Sequence, residues 1–317
     1  MDSIPEHLRM AFEAEFQTLE GNIGQPMYIN SGVFSGQYIR VELQEIQQAD
    51  LGRKYSSFLL YAKVDRRPLD PPPAILLRIF VVYDFGTDRQ REQEVANYQD
   101  VKSIGMLCTL DLFPVPESAF DNSRIYHSRH SPAIANMDYF GDPQSQSPSF
   151  FPLYPYSTLE YPGAYHSPFH VPRRQSMLNH LTSQSLQDVV FRLDNHLVTE
   201  SSKLTPAVVG EKCIEPVLID HMGKKSLFFI FSDLAVQREG TFIFRYRVFD
   251  IFSSISGYVR GHPILAEVFG GVFKVYSTRE FPGLSPSTEF TKSLSKYGVR
   301  VTMRDSERAG VARPAYR

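Results

Sequence analysis

The chain has 317 residues, 42% of them hydrophobic, enough for one large core or two ordinary ones. A formal net charge of −2 gives no global attraction for nucleic acid, so any such contact needs a local basic patch. The only two cysteines, Cys108 and Cys213, exclude a disulfide framework and a four-cysteine metal site, and predict a reducing compartment, cytosol or nucleus.

Residues 5 to 20 read as a helix, with Ser3 as its cap, Pro5 in the first turn, Leu8, Phe12, Phe16 and Leu19 on one face, and Gly21 as its stop. This acidic, amphipathic stretch lacks the basic and apolar regions of a secretory signal. No later segment approaches a membrane-spanning run, so a soluble intracellular protein is expected.

From Tyr38 the period changes to two. Ile39, Val41 and Leu43 alternate with Arg40, Glu42 and Gln44, which predicts a half-buried strand. A basic set follows, Arg53, Lys54, Lys63, Arg66 and Arg67, offset by Asp65 and Asp70 and closed by the proline run 71–73. Ala74 to Tyr83 is nearly continuous in aliphatics and predicts a strand buried on both faces, and Met106 to Phe113 alternates again.

Composition then shifts to Pro, Ser, Tyr, Gln and His with few aliphatics, predicting a long, largely disordered insertion. Strand signals resume at Glu215–Asp220 and Ser226–Phe231. The run Thr241 to Phe252 puts Phe242, Phe244, Tyr246 and Val248 on one face. Ile243, Arg245, Arg247 and Phe249 fall on the other, so one face is core and the second carries an arginine pair. Glu267 to Ser277 predicts one further strand. A short amphipathic helix follows, capped by Ser285 or Ser287, with Phe290, Leu294 and Tyr297 on one face and Gly298 as its stop. Its exposed side and the tail carry a second basic set, Lys292, Lys296, Arg300, Arg304, Arg308, Arg313 and Arg317.

Many short strands without βαβ alternation, and helices only at the periphery, predict an all-β sandwich. The boundaries are 1–27 for an N-terminal arm, 28–113 and 204–304 for the two halves of the domain, 114–203 for the insertion and 305–317 for a basic tail.

Chemical motifs are few. Asp84-Phe85-Gly86 lacks the glycine loop, lysine strand and catalytic loop of a kinase, and a turn after a strand explains it. Gly223-Lys224-Lys225-Ser226 fails the phosphate-loop spacing and reads as a basic turn. The pairs His127/His130 and His166/His170 lie among Pro and Ser with no cysteine near, so a metal is not expected. Gly283-Leu284-Ser285 lacks the second glycine of a nucleophile elbow. No acid, base, nucleophile or metal constellation assembles, which predicts a non-enzymatic protein without cofactor or small-molecule substrate.

Three ordered strings carry a resemblance. They are Asp65 to Pro73 preceded by Gln47-Gln48; Leu227 to Val236 leading through Arg238-Glu239-Gly240-Thr241 to Phe244-Arg245; and Phe273 to Gly283 followed by Ser287-Thr288 and Gly298-Val299-Arg300. Together they resemble the velvet family of fungal regulators, over roughly Tyr38–Phe113 and Leu204–Arg304. The resemblance implies a sandwich similar to immunoglobulin and Rel-homology folds. It implies a nuclear transcription regulator of development, sporulation and secondary metabolism, shuttling with the cytoplasm. The implied partners are double-stranded DNA, other velvet proteins in a homodimer or heterodimer, and a velvet complex containing a methyltransferase. It assigns DNA contact to Lys63, Arg66 and Arg67. Where the family carries a further basic segment after the glutamine pair, this chain has Ala49-Asp50-Leu51-Gly52-Arg53-Lys54, so Arg53 and Lys54 stand as substitutes.

Overall fold

The structure, a computed structural model, describes residues 23–55, 67–101, 103–120, 188–255, 262–305 and 308–309. The helix expected over 5–20, the four paired histidines, Lys63, Arg66, Arg313 and Arg317 lie outside the described residues.

Strand β1 (Met27–Ile29) leads into β2 (Gln37–Gln47), where Ile39, Val41 and Leu43 are buried as their alternation predicts. The short β3 (Leu51–Arg53) precedes the basic segment and the prolines, and β4 spans Ala74–Tyr83, matching the aliphatic run. A turn with left-handed Asp84 and Gly86 contains the Asp-Phe-Gly triplet and connects to β5 (Arg91–Glu94). β6 (Met106–Val115) ends the first half of the domain, followed by a helical turn at 117–120.

The second half begins with the hairpin β7 (Val189–Leu193) and β8 (His196–Thr199), followed by the short β9 (Val208–Val209) and β10 (Cys213–Ile214). Next come β11 (Val217–His221), β12 (Lys224–Ile230), β13 (Ala235–Val236) and the long β14 (Gly240–Asp250). β15 (Ala266–Phe269), β16 (Phe273–Tyr276) and β17 (Gly283–Leu284) precede helix α1 (Glu289–Leu294), and β18 (Arg308–Ala309) pairs back on β17.

Two sheets form an all-β sandwich. In the first the order is β1-β2-β4-β12-β11, with β5 extending beside the end of β4; in the second it is β10-β6-β14-β16-β3, with β15 beside β14. One apolar cluster fills the space between them. It joins Ile39, Val41, Leu77, Ile79 and Phe229 of the first sheet to Leu110, Leu112, Phe244, Tyr246 and Val248 of the second. Each such fully buried side chain contributes about 1.5–3 kcal/mol relative to exposure.

Four expectations are corrected. The run 267–277 is two strands, because the chain breaks at Gly270–Gly271 to pass close to Glu45 and Gln48: a Cβ on Gly271 would lie 1.7 Å from the Gln48 side-chain oxygen. The cap of α1 is Thr288, whose hydroxyl accepts from the Thr291 N–H, while Ser287 serves elsewhere. Lys224 and Lys225 open a strand, and the turn before them is Met222–Gly223.

The fourth concerns the second face of β14 and the limits of the insertion. Arg245 is 1% exposed, because residues 188–207 cover it. Asp111 binds Nη2 of both Arg245 (2.8 Å) and Arg247 (2.6 Å), Glu200 takes the other Arg245 terminus at 2.7 Å, and Thr205 donates to Asp111 at 2.8 Å. Burial alone would raise the Asp111 carboxyl, but Arg247, Arg245 and Lys203 hold it below its ordinary range. Val115, Phe120 and Val198 bury together with Phe113 and Ile243, and the rings of Phe191 and Phe269 stack at 4.3 Å. Residues 114–120 and 188–203, placed by composition inside the insertion, are therefore built into the sandwich.

Candidate nucleic-acid interface

The basic segment leaves the sandwich at Tyr55 and returns at Arg67, and both ends are tied by main-chain bonds. Strand β3 pairs in parallel with β16, setting Arg53 opposite Tyr276, and the Lys54 N–H donates to the Tyr276 carbonyl at 2.8 Å. The Tyr55 N–H then donates to Val236 at 2.8 Å, and the Leu69 N–H to Leu234 at 2.7 Å. The two feet of the segment thus stand on alternate carbonyls of one short stretch, which in extended backbone point the same way. Asp70 closes the base: its N–H donates to Leu51 at 2.9 Å, and its carbonyl accepts from Asp50 and Leu51, each at 3.0 Å. Gly52 permits this approach, since a Cβ there would meet Leu69 at 2.4 Å.

The prolines are held as firmly. Gln47 Nε2 donates to the Pro72 carbonyl at 2.8 Å and to the Thr291 hydroxyl at 3.0 Å, while the Thr288 hydroxyl donates to Gln47 Oε1. The Phe231 N–H donates to the Pro73 carbonyl at 3.0 Å. The Asp70 carboxylate pairs with Arg304, whose Nε donates to the Ser285 carbonyl at 3.1 Å and whose N–H donates to the Ser287 hydroxyl at 3.1 Å. Burial keeps the Asp70 carboxyl above its ordinary range even against the pull of Arg304.

Residues from all three resembling strings therefore meet at one corner. Gln47 and Pro71–Pro73 lie against the chain after β12 and against the cap of α1. The profile of the family described as Velvet factor matches residues 41–308, spanning every part of this corner. The chain belongs to the velvet family. It is 42% identical over 292 residues to a probable velvet family sexual development regulator of Laccaria bicolor, covering 90% of this chain and 76% of that one. A protein of the same description from Schizophyllum commune is 39% identical over 284 residues, covering 90% and 79%. A velvet complex component of Aspergillus flavus is 25% identical over 304 residues, covering 83% and 77%.

In this velvet chain the structure brings Arg53, Lys54 and Arg67 to the same end of the sandwich, the first two half-buried and the third exposed. Lys63 and Arg66 fall in 56–66, outside the described residues. The altered stretch after the glutamine pair is accounted for by packing: Ala49 is 2% and Leu51 7% exposed, so these two positions serve the core, while the charged Asp50, Arg53 and Lys54 are half-buried. The second basic set does not form one face. Arg304 is buried scaffold, Lys292 pairs with Glu289 at 2.8 Å, and α1 packs Phe290 and Leu294 on the outer side of the first sheet.

One cation at this end has no role predicted from the sequence, although it stands in the second string. Arg238 occupies the turn between β13 and β14 and lines a groove of about 560 Å³ together with Lys54. Its sequence signal is the short Gln237-Arg238-Glu239-Gly240 break between two strands. Among the described residues no group of three or more His, Cys, Asp or Glu is arranged to hold a metal, and no helix is long and apolar enough to cross a membrane.

Proposed function

We propose that this chain is a transcription regulator of fungal development that binds double-stranded DNA in sequence-specific fashion through its basic segment. It acts in the nucleus as a velvet homodimer or heterodimer, governing sexual development, sporulation and secondary metabolism. The observation that carries the reading is the double anchoring of the segment on Leu234 and Val236, backed by the Gln47–proline and Asp70–Arg304 contacts. A segment whose ends are already fixed loses less freedom on meeting a ligand. Arg67 is exposed on the returning side, and Lys63 and Arg66 fall in sequence between the two anchored ends. Arginine offers forked donors to phosphate oxygens or to guanine O6 and N7. The relatives' names, as sexual development regulators and as a component of a velvet complex, support the regulatory role and assembly with other velvet proteins.

A second reading is a dimerisation component within a velvet complex, including one that contains a methyltransferase, with DNA touched by the partner chain. The stretch Ala49–Lys54 favours it, since its two cations, Arg53 and Lys54, are both half-buried. Selection of bound duplexes from a random pool, with the chain alone and mixed with a second velvet protein, separates the two. Enrichment by the chain alone supports direct binding. Enrichment only by the mixture, unchanged when Lys63, Arg66 and Arg67 are replaced by alanine, supports the second reading.

A further inference from the structure

The turn after β13 stands next to the feet of the basic segment and is fixed there. Leu234 and Val236 give their carbonyls to Leu69 and Tyr55 on one side, while the Gln237 N–H is taken up by the Ala207 carbonyl at 2.9 Å. Only Arg238 and Glu239 remain before β14 begins at Gly240, so the turn has little chain with which to move away. Arg238 is exposed, and Lys54, Leu204, Thr241 and Phe242 share the lining of its groove. The lining holds two cations, Lys54 and Arg238, and one carboxylate, Glu239.

We propose that Arg238, with Lys54, holds a backbone phosphate of duplex DNA beside the stretch contacted by the basic segment; this rests on the DNA-binding reading above. The chemistry favours phosphate over base. A groove at the foot of the segment meets the strand flanking the recognised bases, where contacts position the duplex without reading it. The guanidinium supplies parallel donors to two phosphate oxygens, and Lys54, in the same lining, adds a second positive charge. Arg238 thereby extends the interface from the 53–67 region to the β13–β14 turn.

The test is fluorescence anisotropy of labelled duplexes with the full chain, alone and mixed with a second velvet protein, across a salt series. Arg238→Ala is predicted to weaken binding about three- to tenfold and flatten the slope of log affinity against log salt by about 1, equally on selected and scrambled duplexes. Arg238→Lys retains the slope, and Arg238→Gln serves as a second charge-removing variant should the alanine protein fold poorly. If Arg238→Ala and Arg238→Gln keep the parent slope while Arg67→Ala flattens it, the inference is overturned and the DNA reading stands. If no variant changes the slope, or the parent binds no duplex in either setting, both fall. A loss confined to one base position of the selected duplex overturns the phosphate assignment.

Discussion

Glu45 is a core-facing carboxylate on β2, opposite the tip of Tyr246. It accepts from the Gly271 N–H at 2.6 Å and the Tyr246 hydroxyl at 3.1 Å, yet burial pushes its pKa up from 4.5 to about 7. The folded chain therefore binds a proton that the unfolded chain releases. This contribution to stability is fully present below about pH 4.5 and is lost as pH rises through 7, a change of roughly 3 kcal/mol. Urea unfolding at pH 5.5 and pH 8 should show the loss in the parent and a much flatter response in Glu45→Gln; equal pH dependence in the two contradicts this account. Arg304 makes the complementary case, a charge that serves as support. Arg304→Ala leaves the Asp70 carboxylate buried without its partner and is expected to cost about 3 kcal/mol, while the salt slope of DNA binding stays at the parent value. A flattened slope would instead place Arg304 at the DNA.

Among the elements, strand identity was largely legible and coverage was not. The alternation in β2 and the aliphatic run of β4 are local signals, and the structure follows both within a few residues. What covers a face depends on distant chain. Arg245 and Arg247 share a strand face, and period two alone marks that face as polar surface. Only the return of residues 188–207 with Glu200 and Thr205 makes it interior. Composition hid that return, because β7 and β8 are short and adjoin a stretch rich in Pro, Ser and Tyr. The same physics sets a test. Replacing 121–187 by a short Gly/Ser linker should preserve one cooperative unfolding transition, since Phe120 and Val198 belong to one apolar cluster. Cutting at the compositional limits 114–203 removes Val115, Phe120, Val198 and Glu200 together, and is expected to abolish that transition. Retained cooperative folding after the wider cut contradicts the place given to the hairpin.

Taken as a whole, the molecule separates support from contact. The strings that carry the velvet resemblance hold many residues that never need to touch a ligand: Gln47, Asp70, the prolines and Thr288 are fastened at a single corner, together with Arg304 from beyond the last string. Their spacing in sequence was readable, but their convergence needed the sandwich to bring β2, β12 and α1 together. The cations of 53–67 were readable as a set along the sequence, whereas the nearness of the Arg238 turn to the feet of that segment depends on the bonds from Tyr55 and Leu69 to the β13 stretch. With a formal net charge of −2, the proposed attraction to DNA rests on a local basic patch, so binding should fall steeply with salt and depend on few residues. The most direct measurement is the salt dependence of duplex binding by the parent chain and by the Arg66→Ala, Arg67→Ala double variant, with a second velvet protein present and absent. The account predicts that the double variant binds more weakly and that its slope is flatter by about 1 to 2. An unchanged slope in both settings would contradict it.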